Sequence, residues 1–411
     1  MHMRSMVVGL AMACVCALRP IPAAAQAEPD PAETARFQNG AIAFTPAIVF
    51  SNGYDTNVYR EVTGFADQET FAVPQIEGFW THPSFQVKFN AAAEFVRFAR
   101  NPGATNSQVG VRIDRRSALL RPYVGFNRKH TNANPTGFEV GYKSLRLESD
   151  LSGGLSLLIS PRVQLGTSIH FVGTGWDADA RYQTSSLREK LNRNTLASAA
   201  SISYTLTPLT AIGASVETSR DRFKFSPLRD GDTLRISGVT TFARRALIFG
   251  TASVGYERFT SPASGAADFN GLIGAVNIGW GAPDGTLVKA YLNRDTQFSY
   301  DLALAYYVLT GINLTASRRV ADRWDTAIYA NTYFMDYRPA GTTASIGRVD
   351  RVHEFGGAIA YRVGNWARVG VTAERAHQGG TAPFAAMRYV GFLTYGSGRF
   401  QRLDRPTPFE R

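Results

Sequence analysis

From about residue 41 to residue 395, apolar and polar positions alternate in long runs, each closed by turn residues. The run from Tyr300 shows the pattern. Tyr300, Leu302, Leu304, Tyr306, Val308, Ile312 and Leu314 share one parity; Asp301, Ala303, Gly311, Asn313, Thr315 and Ser317 share the other. Side chains of a strand alternate faces, so the run predicts one apolar face, with Leu302 and Leu304 toward lipid, and one small or polar face, with Asp301 and Asn313 toward a lumen. Soluble sandwiches alternate too, but their strands are about 5 to 6 residues long and these runs reach roughly ten to fifteen. Tilted strands of about 9 to 11 residues are what a transmembrane β-barrel needs to cross the hydrocarbon.

The punctuation carries the same message. Short connections are predicted at 81–84, 116–118, 160–161, 207–208, 243–245, 281–285, 319–322 and 364–365. Longer polar ones alternate with them, at about 51–69, 100–106, 132–141, 175–192, 224–230, 260–266, 294–299, 338–346 and 379–385. This order is that of a bacterial outer-membrane barrel with short periplasmic turns and long extracellular loops. The expected fold is therefore all-β: a transmembrane antiparallel up-and-down β-barrel of about 18 strands, within the range 16–18. Phe85, Val87, Phe89 and Phe95 form one lipid row, Leu145, Leu147, Leu151 and Leu155 a second, and Val163, Leu165, Ile169 and Phe171 a third. Trp80, Trp176, Trp280, Trp324 and Trp366 are expected in aromatic girdles at the two interfaces.

Composition fits this picture. The 411 residues include 38 Gly, 12% aromatics and only 19% charged residues. After the N-terminus no stretch is apolar for the roughly 18 residues of a membrane helix. The mean hydropathy of -0.15 suits strands with one residue in two facing lipid. Arg4, an apolar stretch from Met6 to Leu18 and Ala25-Gln26-Ala27 read as a signal peptide, 1–27. Cys14 and Cys16 lie within it; a lipid anchor on one of them is the competing reading. Residues 28–40 read as a flexible periplasmic leader, 41–400 as the barrel and 401–411 as a polar tail, with Tyr395 or Phe400 as the terminal aromatic of the last strand. The expected location is the outer membrane of a Gram-negative bacterium.

The net charge of +11 becomes +9 without Arg4 and Arg19. No basic run or recognition motif accompanies it, which excludes nucleic acid as the expected partner. Arginines spread over strands and turns instead suit outer-membrane lipid and lipopolysaccharide headgroups, or an anionic solute. Catalytic patterns are absent: there is no G-x-S-x-G, H-E-x-x-H or phosphate loop. His82, His130, His170, His353 and His377 lack metal-ligand spacing, and only the neighbours His353 with Glu354 and Glu374 with His377 hint at hydrolase groupings. No catalytic, cofactor or metal site is expected, and no cofactor. The opposite parity supplies the candidate pore-lining residues Lys88, Glu94, Arg112, Asp114, Arg146, Glu148, Asp150, Arg162 and Arg235. Their mixed signs suit a neutral or weakly charged polymer.

The first strand, Ile42 to Phe50, is followed by Asn52-Gly53-Tyr54-Asp55-Thr56-Asn57-Val58-Tyr59-Arg60. Asp55 and Asn57 offer either calcium oxygens or an Asx turn, and a lone D-x-N favours the turn. Pro46, Tyr54, Asp55, Asn57, Val58, Tyr59 and Arg60 resemble the opening of the beta-barrel porin 2 family, bacterial outer-membrane proteins often called exopolysaccharide-associated barrels. That resemblance implies a single barrel and, for some members, polysaccharide transfer alongside periplasmic export machinery; it implies no catalytic residues. The expected function is a passive conduit in exopolysaccharide export. The alternatives are a general diffusion porin for small, perhaps anionic, solutes and a structural, polymer-binding barrel without conductance.

Overall fold

A computed structural model of the chain describes residues 35–396, apart from 61, 132–144, 183–184, 245, 262–267, 300, 302–303, 322, 340–347, 365 and 381–382. The expected signal peptide, the start of the leader, the loop 132–141, Leu302, Phe400 and the tail lie outside the described residues. The chain begins with β1 (Phe37–Asn39), β2 (Ile42–Asp55), β3 (Asp67–Thr81), β4 (Phe85–Phe98), β5 (Ala104–Arg115), β6 (Leu120–Thr131), β7 (Arg146–Ser160) and β8 (Val163–Trp176). A small hairpin of β9 (Arg181–Tyr182) and β10 (Ser185–Ser186) and the helix α1 (Leu187–Leu191) intervene. Next come β11 (Arg193–Thr207), β12 (Thr210–Phe223), β13 (Gly231–Phe242), β14 (Ile248–Thr260), β15 (Phe269–Gly281) and β16 (Leu287–Phe298). The last five are β17 (Leu304–Val320), β18 (Trp324–Pro339), β19 (Val349–Val363), β20 (Ala367–Gly379) and β21 (Phe384–Tyr395).

From β2 onward every long strand pairs antiparallel with the next, β8 reaching β11 across the insertion. β21 then returns to β2, from Ile48↔Tyr395 to Asp55↔Arg388. The product is a closed antiparallel barrel of eighteen strands. Parity decides its faces. Outward positions hold Val254, Leu272 and Ile328, which are 65–67% exposed. Leaving such side chains in water forgoes about 1.5–3 kcal/mol each, so the outer band is built for an apolar surrounding. Trp80, Trp280, Trp324 and Trp366 stand exposed on this face beside short turns, as a girdle does. Trp176 does not. It sits at the loop end of β8, 6% exposed, on the inward parity against Leu187, Leu191 and Phe223.

The short connections fall where alternation places them. In the β15–β16 turn Gly285 takes φ 82° and the Asp284 carboxylate accepts from the backbone N–H of Thr286 at 3.0 Å. That bond holds the Asp284 carboxyl below the ordinary carboxylate range, helped by Arg318 at 3.4 Å. Two connections differ from the sequence reading. Ser51–Asp55 continues β2 rather than opening a loop, and residues 294–298 belong to β16. The leader is not wholly free either. Phe37–Asn39 pairs with Ile42–Phe44, the stretch of β2 that β21 leaves uncovered. The Arg36 guanidinium reinforces this clasp by stacking on Trp366 (4.1 Å) and Tyr395 (4.6 Å) and donating to the Tyr395 hydroxyl at 2.6 Å.

Candidate functional site

Toward the turn end the inward wall from β7 to β15 is uncharged and mostly small, with Leu158, Gln164, Val239 and Phe249 as the larger exceptions. Ser152, Gly154 and Ser156 of β7 lead to Gly166 and Ser168 of β8, then Ser201 and Ser203, Gly213 and Ser215, Ser237, Thr251 and Ser253 around the wall, and finally Asn277 of β15. Toward the loop end the same face becomes charged and aromatic, and there one hairpin folds inward.

That element is the β16–β17 hairpin. The β15–β16 ladder runs only from Gly281↔Leu287 to Gly274↔Arg294, although β15 continues to Phe269 and β16 to Phe298. Beyond that point β16 keeps β17, with Phe298 opposite Tyr306, and the pair leaves the wall. Both faces of β17 are then covered: Tyr306 and Tyr307 are 1% and 0% exposed. One face, Ala305, Tyr306 and Val308, packs on Phe259 and Phe269; the other, Leu304, Tyr307 and Leu309, packs on Tyr333, Met335 and Tyr337. Leu304, Tyr306 and Val308 therefore face protein and not lipid, contrary to the simple parity reading. At the tip Phe298 stacks edge-on against Phe223 (4.9 Å) and Phe259 (5.7 Å), with the Arg193 guanidinium 5.1 Å over its ring. The hairpin has reached the inner wall at β11 to β14.

Arginines hold it there. From the 3-10 turn Pro227–Arg229, Arg229 Nη2 donates to the Ser299 carbonyl and, at 3.4 Å each, to those of Leu304 and Ala305. Arg235 of β13 ties three strands, meeting Asp295 of β16 at 2.6 Å, Glu257 of β14 at 2.5 Å and Glu217 of β12 at 3.3 Å. Thr296 Oγ1 donates to the other oxygen of Glu257 at 2.5 Å. On the far side Arg348 approaches Asp301 at 3.4 Å and lies 4.5 Å over Tyr337. Gly231 makes room: a Cβ there would sit 2.7 Å from the Phe259 ring and 3.4 Å from Phe298. The central loop also turns inward, α1 burying Leu187 and Leu191 on Trp176 and Phe223, next to Phe298.

The sequence-nominated residues divide. Lys88 and Arg112 converge on Asp114 at 3.2 and 2.9 Å, and Arg112 stacks 3.8 Å over Tyr123. Glu94 is fully buried and accepts from Asn106 Nδ2 at 3.0 Å. Arg146 meets Glu148 at 3.3 Å, and Asp150 meets His170 at 3.4 Å. Arg235 belongs to the hairpin anchor. These eight are on inward parity. Arg162 is not: it lies in the exposed β7–β8 turn, its guanidinium 3.5 Å from the hydroxyl of outward Tyr204. Sequence reading missed Arg229, Glu257, Asp295 and Phe298, the groups that hold the inward hairpin.

The segment after β2 is a tie. Asp55 Oδ1 accepts from the backbone N–H of Asn57 at 2.9 Å, which is the Asx turn, and from Arg60 at 2.8 Å. Arg60, at φ 57°, also reaches Asn57 O (2.7 Å) and Glu374 (3.7 Å). The proposed hydrolase neighbours lie on opposite faces, His353 and His377 outward, Glu354 and Glu374 inward. Among the described residues no group of three or more His, Cys, Asp and Glu could hold a metal ion.

No family model matches the chain and no curated protein does, so the resemblance to the beta-barrel porin 2 family rests on Pro46, Tyr54, Asp55, Asn57, Val58, Tyr59 and Arg60. In solved structures the chain is similar in fold to OpdQ of Pseudomonas aeruginosa (TM-score 0.48, 10% identity, 86% of this chain and 99% of that one). It is likewise similar to the outer membrane protein OpdK of Pseudomonas aeruginosa (TM-score 0.48, 10% identity, 86% and 99%). A bacterial polysaccharide outer membrane secretin is a more distant likeness (TM-score 0.34, 9% identity, 87% and 98%).

Proposed function

We propose that the chain is a transport conduit of the Gram-negative outer membrane that passes a neutral, hydroxyl-rich polymer, in export of an exopolysaccharide. The observation that carries this reading is the inward wall of β7 to β15, where serine, threonine and glycine replace charge through the turn-end half. Hydroxyls exchange hydrogen bonds with a sugar chain without fixing it, whereas charge rings select ions. The inward hairpin is then the closed position of the path, and polymer transfer requires it to move. Periplasmic export machinery would supply polymer at the short turns, and outer-membrane lipid surrounds the band.

Solute entry into liposomes tests the reading. With Arg229→Ala, which releases the carbonyls of Ser299, Leu304 and Ala305, neutral maltooligosaccharides should enter markedly faster than through the intact chain, and sulfated ones of equal length should gain little. Equal gain for both, or none, would count against a polymer path. A general anion porin has one observation in its favour: Arg362 and Arg368 share Asp325 at 2.7 and 2.8 Å near the turn end of the wall, leaving positive charge in excess. Anion-selective conductance of the intact barrel in planar bilayers would move the reading there.

A further inference from the structure

The outer face of β18 to β21 carries a feature that a lipid-facing wall alone does not require. Gly357 lies opposite Ala373, and Gly391 sits diagonally across from Ala373 on the next strand; together they leave a depression of about 650 Å³ walled by Ile328, Ile359, Val371 and Tyr389. One step further from the turns, on the same face, stand Arg351 and His353 of β19 and Arg375 and His377 of β20, all exposed. His353 is directly opposite His377, and Arg375 opposite Phe355. With neighbours about 5 Å apart across strands and about 7 Å apart along one, the four basic groups form a single patch immediately above the depression.

The two guanidiniums are held over outward rings, Arg351 5.9 Å from Phe334 and Arg375 6.0 Å from Phe355. Acidic neighbours are turned away. Asp350, Glu354 and Glu374 take the inward parity, and outward Asp336 is bound at both oxygens by Arg338. At about 3.4 Å per residue and a tilt of ~40°, Arg375 stands close to the ~25 Å height of an apolar band above Trp366, the girdle residue at the turn end. The patch is thus at the far headgroup level and the depression is within the hydrocarbon below it.

The geometry points to a binding site for a phosphorylated, acylated glycolipid of the outer leaflet. Its phosphates would meet Arg351, Arg375 and the two histidines, and one acyl chain would occupy the depression over Gly357, Ala373 and Gly391. Arginine forks suit phosphate oxygens, and a patch this wide exceeds one phosphate, which favours a glycolipid over a simple phospholipid. The inference rests on membrane placement of the barrel and is independent of what crosses the lumen.

The test is native mass spectrometry of the full chain in detergent, titrated with diphosphoryl lipid A, its dephosphorylated form and phosphatidylglycerol. The intact protein should retain one diphosphoryl lipid A, and the dephosphorylated form should bind about tenfold more weakly or less. The double variant Arg351→Gln with Arg375→Gln should lose the phosphate preference. Ala373→Leu, which fills the depression and leaves the basic groups in place, should weaken both lipid A forms together. Heat-modifiable gel mobility verifies that each variant is a folded barrel. Equal retention by intact and variant barrels, equal binding of dephosphorylated lipid A, or phosphatidylglycerol held as tightly as lipid A would each overturn the proposal.

Discussion

Asp55 shows how a conspicuous short motif acquires its role from distant partners. Its carboxylate is fully buried, bound to the Asn57 N–H and the Arg60 guanidinium, and Arg60 goes on to Glu374 of β20. Removing one member of a buried pair leaves an uncompensated charge, so Arg60→Ala should cost about 3–5 kcal/mol, and Asp55→Asn in the same chain should recover part of it. Urea midpoints of the refolded barrel measure both. The Asx turn was legible in the order Asp55-Thr56-Asn57; the tie to Glu374 was not, because nothing local points to a partner so far along the chain. Parity alone, by contrast, separates His353 from Glu354 and Glu374 from His377. The tryptophans divide in the same way. Brominated lipids should quench Trp80, Trp280, Trp324 and Trp366 and leave Trp176 bright, so Trp176→Phe should remove mainly the unquenched fraction of the emission. An unchanged unquenched fraction would place Trp176 in the girdle after all.

Among the elements, the β16–β17 hairpin departs furthest from the sequence reading. The polar residues Arg294-Asp295-Thr296-Gln297 look like an extracellular loop, yet Asp295 and Thr296 are the strand groups bound to Arg235 and Glu257. A signal was present. Leu304-Ala305-Tyr306-Tyr307-Val308-Leu309 is an unbroken apolar run, the mark of a strand covered on both faces, and selecting every second residue from it conceals that. If the hairpin sets the constriction, weakening its anchors should raise channel conductance. Arg229→Ala frees the tip carbonyls and Phe298→Ala removes the ring lodged on Phe223 and Phe259; each should give larger, noisier single-channel currents. Gly231→Val should do the same from the wall side by displacing Phe259. Conductance in all three equal to that of the intact chain would mean that the hairpin does not limit passage.

In the molecule as a whole, strand number and facing were legible because one period-two pattern governs the entire wall, and short connections alternate with long ones. What fills the interior was not, since contacts across the lumen join residues with no common periodicity. The closing contact between β2 and β21 has a consequence for how the barrel is made. Across that seam Arg388 of β21 is bound to Glu69 of β3, beyond β2, at 2.5 Å, and the two are 319 residues apart in sequence. No early segment can therefore seal the cylinder, and a chain dominated by such remote pairing assembles slowly. Until β21 arrives, the loop half of β2 is an unsatisfied edge in search of a partner. The turn half is occupied sooner by β1, its own neighbour. Removing residues 35–39 should leave the mature wall nearly intact but slow its assembly and increase misassembled dimers, visible on unheated gels during refolding into vesicles. β1 then works as a placeholder during biogenesis, a temporary selvedge that keeps the growing sheet from joining the wrong cloth.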